Sequence, residues 1–491
     1  MSFNDSNPVR ETGFGERLFL RTQLKPGYGC EQLHQLISDY VTLLLGNLSF
    51  VLQRYDPIDG SGFIDTKFDL HEGSDFNEAH SIKSKNVVYG WVQGRALEAL
   101  AEHYYWAMDF QEEIGENSII LREEIVNVLK GLSDRLEAMR NRHGGRLSFL
   151  MKEDGTALAV GSNNQLIERE LPEPMTFGYT DIFYAKGLFS AAKVTGDKGK
   201  ALDATLLFDS VVEAIREERF VSDQLVLDAD NRSLKRTREK RTYANRMIAI
   251  GGLEIFLRHT GDLKYAEAGI EFIRHAIDNY VNLDGRISNI PQFVMWEYTT
   301  LLGEPFIEDG QLCCLPGHVL EFVGLSLKFI HCCEGTLGDC FQSELDGFRA
   351  VLPKILLANF KGGWNPSGMG IYQSIDLLSG LSFYSQMPWW NLPETIRAAV
   401  GCAKIVPDEE RRGFLEIARL CSNAFLMHYV QAPPYLLSIQ ALDADGDPDR
   451  SIPAVPDLDP CYHTGLSLID AMRYFSLSLT DPESTTHRRQ S

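Results

Sequence analysis

The segment Pro316-Gly317-His318 places a histidine where its imidazole can act as an acid or a base. Pro-Gly is a turn signal, and the apolar run after it predicts a helix that begins at this turn. His318 then lies in the first helical turn, with Glu321 on the same face three residues later. The carboxylate can orient the ring, and the helix N-terminus disfavours the imidazolium. The pattern favours proton abstraction near neutral pH, although a structural histidine fits the same spacing.

A second histidine, His463, follows a loop and begins another predicted helix in the segment Pro460-Cys461-Tyr462-His463. Two histidines at corresponding positions of different helical hairpins converge if the hairpins form a ring. Taken alone, His463 is equally compatible with a surface position. The two histidines therefore indicate a shared site only if the helical hairpins form such a ring.

Two further helix starts carry residues that suit a polar ligand. Gly90 and Gly94, four residues apart, permit close helix packing or ligand approach, and Arg95 offers a planar fork for oxyanions. The pair Trp389-Trp390, followed by Glu394, suits the apolar faces of a sugar, although core packing explains it equally well. All four segments lie in the first turns of a helix after a turn-rich stretch.

Helical periodicity dominates the chain and predicts about twelve helices. Strand-like patches are short, at 147–151, 287–295 and 370–375, and none alternates with helices as a parallel α/β sheet demands. The predicted helices span residues 30–53, 86–109, 116–142, 180–195, 199–217, 240–259, 263–280, 316–332, 340–358, 388–402, 408–430 and 461–478.

One internal sequence repeat predicts how these helices are arranged. Gly187-Leu188 precedes Thr195-Gly196-Asp197 with the same spacing as Gly252-Leu253 precedes Thr260-Gly261-Asp262. In each case glycine can end one helix in the left-handed conformation and aspartate can cap the next. Six such hairpins would close into an all-α ring, an (α/α)6 barrel with a pocket at one end. An irregular helical bundle or an open α-solenoid is the alternative.

Because no linker rich in Pro, Gly or Ser divides the chain, we expect one barrel domain over residues 26–478. The extensions 1–25 and 479–491 are expected to be poorly ordered. A net charge of −21 argues against nucleic acid or an anionic membrane as the main partner. The polar N-terminus, the short apolar run 41–52 and nine irregularly spaced cysteines favour a cytoplasmic protein with reduced thiols. Homodimer formation stays open.

Together these segments resemble the N-acylglucosamine 2-epimerase family, from about residue 80 to residue 475. Members of that family are (α/α)6 barrels that transfer a proton at C1 and C2 of a ring-opened sugar without a cofactor or metal. The family's Pro-Gly-His-x-x-Glu element is similar to residues 316–321, and its aromatic-His element is similar to Tyr462-His463. The resemblance implies that His318 and His463 are the acid/base pair. It further implies substrate contacts by Arg95, Tyr179, Glu321, Trp389, Trp390 and Glu394.

Three departures from the family pattern leave the sugar open. Met247 lies on a helix that commonly carries a histidine, Leu392 replaces a glutamine, and Leu466 replaces an arginine. Arg246, beside Met247, is a candidate replacement donor, which would suit an anionic or amino sugar.

The sequence therefore favours a sugar 2-epimerase or aldose–ketose isomerase, with Arg95 stabilising an enediolate. One alternative is a glycoside or unsaturated-uronide hydrolase on the same barrel, which would use carboxylates such as Asp181, Glu297 and Glu394. A non-catalytic sugar-binding protein is the other.

Overall fold

The computed structural model describes residues 18–58, 61–76, 81–160, 166–168, 176–222, 240–432, 435–450 and 457–480, with side chains up to residue 476. The helices within these ranges are α1 Cys30–Gln53, α2 Gly90–Asp109, α3 Gln111–Ile114, α4 Asn117–Arg142, α5 Tyr179–Thr195, α6 Lys198–Arg216, α7 Ala244–Thr260, α8 Leu263–Tyr280, α9 Pro316–Leu337, α10 Gln342–Gly363, α11 Asn391–Ile405, α12 Asp408–Ala424 and α13 Ser467–Thr480.

Six of these helices form an inner ring. Helices α2, α5, α7, α9, α11 and α13 each contact the next, and the turn before α13 contacts α2. Helices α4, α6, α8, α10 and α12 pack outside the first five of them, and α1 packs outside α13. The inner helices are covered on all sides, so that Tyr179 through Ala192 of α5 are all buried. The first and last long helices thus close the (α/α)6 barrel that the sequence predicts.

The Thr-Gly-Asp elements end and begin helices as predicted. Gly196 and Gly261 have φ values of 76° and 67° and terminate α5 and α7. Asp197 accepts the backbone N–H of Lys200 at 3.0 Å, which caps α6, and Asp262 caps α8 in the same way. Each Thr-Gly-Asp element therefore connects an inner helix directly to its outer partner.

Short antiparallel strands lie at the barrel end where the inner helices begin, since strands directly precede α2, α7, α9 and α11. The strands are β1 Phe68–Asp69, β2 Ser74–Asp75, β3 Val87–Tyr89, β4 Leu150–Lys152, β5 Leu158–Val160, β6 Leu166–Glu168, β7 Lys240–Thr242, β8 Tyr298–Thr300, β9 Ile307–Glu308, β10 Gln311–Cys314, β11 Ser374–Asp376, β12 Ser382–Tyr384, β13 Met387–Pro388 and β14 Ala441–Leu442. Four of them form one sheet in the order β12-β11-β10-β9, and the others pair in twos.

The patch at 287–295, which reads as a strand in the sequence, is instead a series of turns. The buried amide of Asn282 donates to the carbonyls of Ile287, Ile290 and Pro291 at 2.9–3.2 Å. One side chain therefore takes the acceptors that a neighbouring strand would otherwise satisfy. The patches at 147–151 and 370–375 overlap β4 and β11.

The N-terminal boundary lies earlier than residue 26. The backbone N–H groups of Leu20 and Thr22 donate to the carboxylate of Asp39, at 2.9 and 2.6 Å. Leu24 is buried, and its N–H donates to the side chain of Asn423 on α12. Residues 18–25 are thus tied to the barrel by side-chain acceptors far away in sequence. Residues 1–17 and 481–491, the rest of the predicted extensions, lie outside the described residues.

Helix α1 is, within the described ranges, the one helix long and apolar enough to cross a membrane. In this fold 78% of its most apolar window is buried, because α1 covers α13 and the neighbouring outer helices. All nine cysteines are free thiols.

Candidate active site

His318 lies in the first turn of α9 as predicted, but its carboxylate partner is Glu297 instead of Glu321. Nδ1 of His318 lies 3.1 Å from Oε2 of Glu297, whose other oxygen accepts the hydroxyl of Thr242 at 2.7 Å. Burial would lower the pKa of His318, but the charge and hydrogen bond of Glu297 outweigh it, so the pKa is raised. With Nδ1 occupied, Nε2 is left for a substrate.

Replacing Glu297 with Gln should move the acidic limb of the kcat/KM profile to lower pH. The carboxylate holds the pKa of His318 above its ordinary value of about 6.5, so its loss leaves burial to lower that pKa. The basic form of His318 then persists at lower pH, while poorer ring orientation reduces the maximum by about 100-fold. A pH series of initial rates measures both effects.

The control for this substitution is Glu308→Gln, because Glu308 is a carboxylate of the nearby strand β9 with a side chain 63% exposed. It should leave the profile in place. An acidic limb that stays put or rises in Glu297→Gln would contradict the assignment of Glu297 as the partner of His318.

His463 lies in a π-helical turn, Tyr462–Leu466, immediately before α13. The carboxylate of Asp459 accepts the backbone N–H groups of Tyr462 and Thr464, at 2.9 and 3.2 Å. The indole N–H of Trp389 donates to the hydroxyl of Thr464 at 3.1 Å. His463 is thus held on both sides and is 5% exposed, so a surface position is excluded.

The partner of His463 is Glu394, in the first turn of α11. Nδ1 of His463 lies 3.2 Å from Oε1 of Glu394, and Oε2 of Glu394 pairs with the buried guanidinium of Arg397. Burial would raise the pKa of Glu394, but Arg397 and the hydrogen bond with His463 outweigh it, so the pKa is lowered. Each histidine therefore has its own carboxylate on the same ring nitrogen.

Trp390 lies between the two histidines. Its ring centroid is 5.8 Å from that of His318 and 5.3 Å from that of His463, at interplanar angles of 38° and 33°. Gly317 permits this approach, since a β-carbon there would lie 2.7 Å from Trp390 and would collide with Asn391. The two predicted histidines thus share one aromatic surface, whereas Trp389 is a buried support for the π-helical turn.

Arg95 is enclosed by aromatic rings. Its guanidinium carbon lies 4.8 Å from the ring centroid of Trp91, 4.3 Å from Phe183 and 4.9 Å from Tyr462. Cation–π contacts stabilise it there, and it makes no ion pair with any described residue. Tyr179, the first residue of α5, packs edge-on to Trp91 at 5.9 Å. Arg95 is therefore a preorganised cation available to an oxyanion.

Gly465 shares the turn of His463 and has no room for a side chain. A β-carbon there would collide with the ring of His103 on α2, with His103 Nε2 at 2.9 Å. Gly465→Ala should therefore shift the turn and lower activity about 100-fold, the cost of a displacement near 1 Å. Gly413→Ala on α12 is the matched control, because nothing lies within 4 Å of its β-carbon. Equal rates in the two variants would show that the turn tolerates displacement.

Arg246 is not brought to the histidines. Its guanidinium lies against outer helix α8, 5.7 Å from the ring centroid of Phe272. Tyr280 and Glu271 of α8 are among its electrostatic neighbours. The expectation that Arg246 replaces a missing ligand donor therefore fails, because this side chain points into the contact between α7 and α8.

The carboxylates considered for a hydrolase are all engaged. Asp181 accepts the backbone N–H of Gly178 at 2.9 Å, which caps α5, and pairs with Arg146 at 3.0 Å. Glu297 and Glu394 each hold a histidine, as described above. Each of the three carboxylates named for a hydrolase therefore already has a hydrogen-bond or ion-pair partner.

A small cavity of about 20 Å3 lies among the inner helices beside these groups, and Glu321 and Glu394 are among the residues that line it. Glu321, Glu394 and His463 offer ligand atoms within 4.8 Å of one another. Both oxygens of Glu394 already have partners in Arg397 and His463. These three side chains are therefore suited to sharing protons, and the positive charge beside them is supplied by Arg397.

The sequence analysis did not identify one buried series of linked polar side chains, Glu98, Lys186 and Tyr462. Nζ of Lys186 lies 2.8 Å from the hydroxyl of Tyr462 and 3.0 Å from a carboxylate oxygen of Glu98. This series supports Tyr462 under Arg95. The signal that could have revealed it is the presence of charged residues inside the otherwise apolar stretches of α2 and α5.

Comparisons with known proteins bear on the fold. No family model and no curated protein sequence matches the chain. A sugar epimerase from a ruminal bacterium superposes with a TM-score of 0.62 at 14% identity, over 89% of this chain and 98% of the other. Cellobiose 2-epimerase from Spirochaeta thermophila gives 0.62 at 14%, over 92% and 99%. A D-mannose isomerase gives 0.59 at 13%, over 89% and 97%. The chain therefore shares the (α/α)6-barrel fold of these sugar epimerases and isomerases across nearly their whole length.

Proposed function

We propose that this protein is a sugar 2-epimerase or aldose–ketose isomerase. The observation that carries the proposal is the pair of histidine–glutamate dyads, His318–Glu297 and His463–Glu394, on one aromatic surface. Each glutamate occupies Nδ1, which fixes the ring and leaves Nε2 for proton transfer. The neighbours in fold include proteins named as an epimerase of cellobiose and an isomerase of mannose, which supports the same chemistry here.

The reaction begins with a ring-opened sugar whose C2 hydrogen lies alpha to the carbonyl. One histidine removes that proton, and the electron pair moves onto the carbonyl oxygen to form an enediolate. Arg95 stabilises the new negative charge because it is buried and makes no ion pair with a described residue. Return of a proton to C2 from the opposite face gives the epimer. Return of the proton to C1, with transfer of the proton of the C2 hydroxyl to the C1 oxygen, gives the ketose.

The test is hydrogen exchange at C2 in heavy water. The wild type should incorporate deuterium at C2 of at least one sugar from a panel of cellobiose, D-mannose, D-glucose and N-acetyl-D-glucosamine. The double variant His318→Asn/His463→Asn should not, and a chelator should leave the wild-type rate unchanged. Absence of exchange across the panel, together with release of reducing ends from glycosides, would favour the hydrolase alternative.

A further inference from the structure

Epimerisation by two bases leaves the protein altered after each turnover. The histidine that removed a proton ends as the imidazolium, and the histidine that supplied one ends neutral. Before the next molecule of the same epimer can react, one proton must move from the first histidine to the second. This requirement rests on the proposed function and raises the question of which group carries the proton.

The two histidines differ in their access to bulk water. The side chain of His318 is 28% exposed, whereas that of His463 is 7% exposed and lies behind Trp390 and the π-helical turn. His318 can exchange its proton with solvent directly. His463 needs an internal route.

Glu321 interacts electrostatically with both histidines. It lies one helical turn after His318 on α9, and one of its oxygens is within 4.8 Å of a ring nitrogen of His463. It is 7% exposed, and among the described residues its interactions with its neighbours are electrostatic, without a hydrogen bond or an ion pair. Every other carboxylate around the dyads, Glu297 and Glu394 included, already has a fixed partner.

We propose that Glu321 returns the proton between the two histidines after each turnover. The carboxylic acid of Glu321 gives its proton to neutral His463, and the carboxylate so formed takes the proton of the His318 imidazolium. One proton crosses, Glu321 ends as it began, and no electron is transferred. For the opposite epimer the same steps run in reverse.

Two features of the surroundings suit this role. Burial and the nearby charge of Glu394 raise the pKa of Glu321, which brings it closer to that of a histidine. The cavity that Glu321 lines has room for a water molecule beside the charged side chains of Glu394 and Arg397, and such a water can bridge a gap too long for a direct hydrogen bond.

The experiment compares one turnover with many in Glu321→Gln. Glutamine keeps the shape of the side chain and cannot release a carboxylic proton. With the panel sugar that the wild type exchanges best, kcat should fall at least ten times more than the single-turnover rate of C2 exchange. Imidazole or formate added at constant pH and ionic strength should restore kcat, because a small buffer can carry the proton instead. The wild type and Glu308→Gln should show no such response.

The results that would overturn the role of Glu321 differ from the result that would overturn the proposed function. Parallel losses in kcat and single-turnover rate, without buffer rescue, would overturn the proposal and make Glu321 a substrate contact. Wild type that exchanges no C2 hydrogen would instead overturn the proposed function itself. Glu321→Asp keeps an ionisable acid, so its kcat should stay independent of buffer. A buffer-dependent Glu321→Asp would also count against the relay.

Discussion

Replacing His463 with Asn should abolish epimerisation but leave exchange of the C2 hydrogen in one epimer only. In the proposed mechanism each histidine faces one side of the enediolate, so a variant with a single base can remove and return a proton on its own side. Inversion requires both bases and should fall by about 1,000-fold or more. Asparagine can still donate to Glu394, which keeps the buried carboxylate hydrogen-bonded.

The reciprocal variant makes this result diagnostic. His318→Asn should exchange the C2 hydrogen of the opposite epimer, again without inversion. Proton NMR of each epimer in heavy water measures loss of the C2 signal, and chromatography measures inversion. His34→Asn, at an exposed histidine of α1, should behave as the wild type. If both active-site variants exchange the same epimer, a single base serves both directions and the two-base mechanism is wrong.

The sequence predicted where the two histidines lie, because the position of each one at the start of a helix depends only on residues close to it in the sequence. A turn followed by an apolar helix locates His318, and a loop followed by a helix locates His463. Once the barrel closes, the first turns of the inner helices meet at one end. The convergence of these side chains with Arg95 and Trp390 therefore followed from fold class and spacing, whereas their roles rested on the family resemblance.

The partners of these side chains could not be predicted in the same way. Helical spacing suggested Glu321 as the partner of His318, but the carboxylate that accepts the hydrogen bond of His318 is Glu297, on the segment before β8. Arg95 and Arg246 both lie near the start of an apolar helix, yet Arg95 packs among the aromatic rings beside Tyr462 while Arg246 faces α8. Inner helices are buried all round, so their apolar pattern has no exposed face that would orient them.

Arg397→Met should be the most destabilising single change at the site. Arg397 is 4% exposed, pairs with Glu394, and lies 3.8 Å from Asp470, which also binds Lys328. Methionine fills similar space but leaves Glu394 buried without its cation, a loss of about 3–5 kcal/mol in the free energy of unfolding. Urea unfolding at pH 7 measures this difference.

The matched control is Arg411→Met, which breaks an arginine–carboxylate pair of the same spacing, with Asp408 on outer helix α12. Those side chains are 47% and 86% exposed, so the loss should be about 0–1 kcal/mol. The two substitutions remove the same group from a pair of the same helical spacing, and burial is the main difference between the two pairs. Equal losses would show that the Arg397–Glu394 pair is as weak as a surface pair.

The pH dependence of the difference in unfolding free energy between wild type and Arg397→Met provides an independent check. The folded-state pKa of Glu394 lies below its unfolded value, so its contribution to stability is present at neutral pH and is lost as pH falls through the folded pKa. Without Arg397, burial raises the pKa of Glu394, and the variant protonates this carboxyl at higher pH than the wild type. The gap in unfolding free energy between wild type and Arg397→Met should therefore narrow on acidification. A neutral Glu394 also holds His463 less firmly, so the variant should lose activity at a higher pH than it loses its fold.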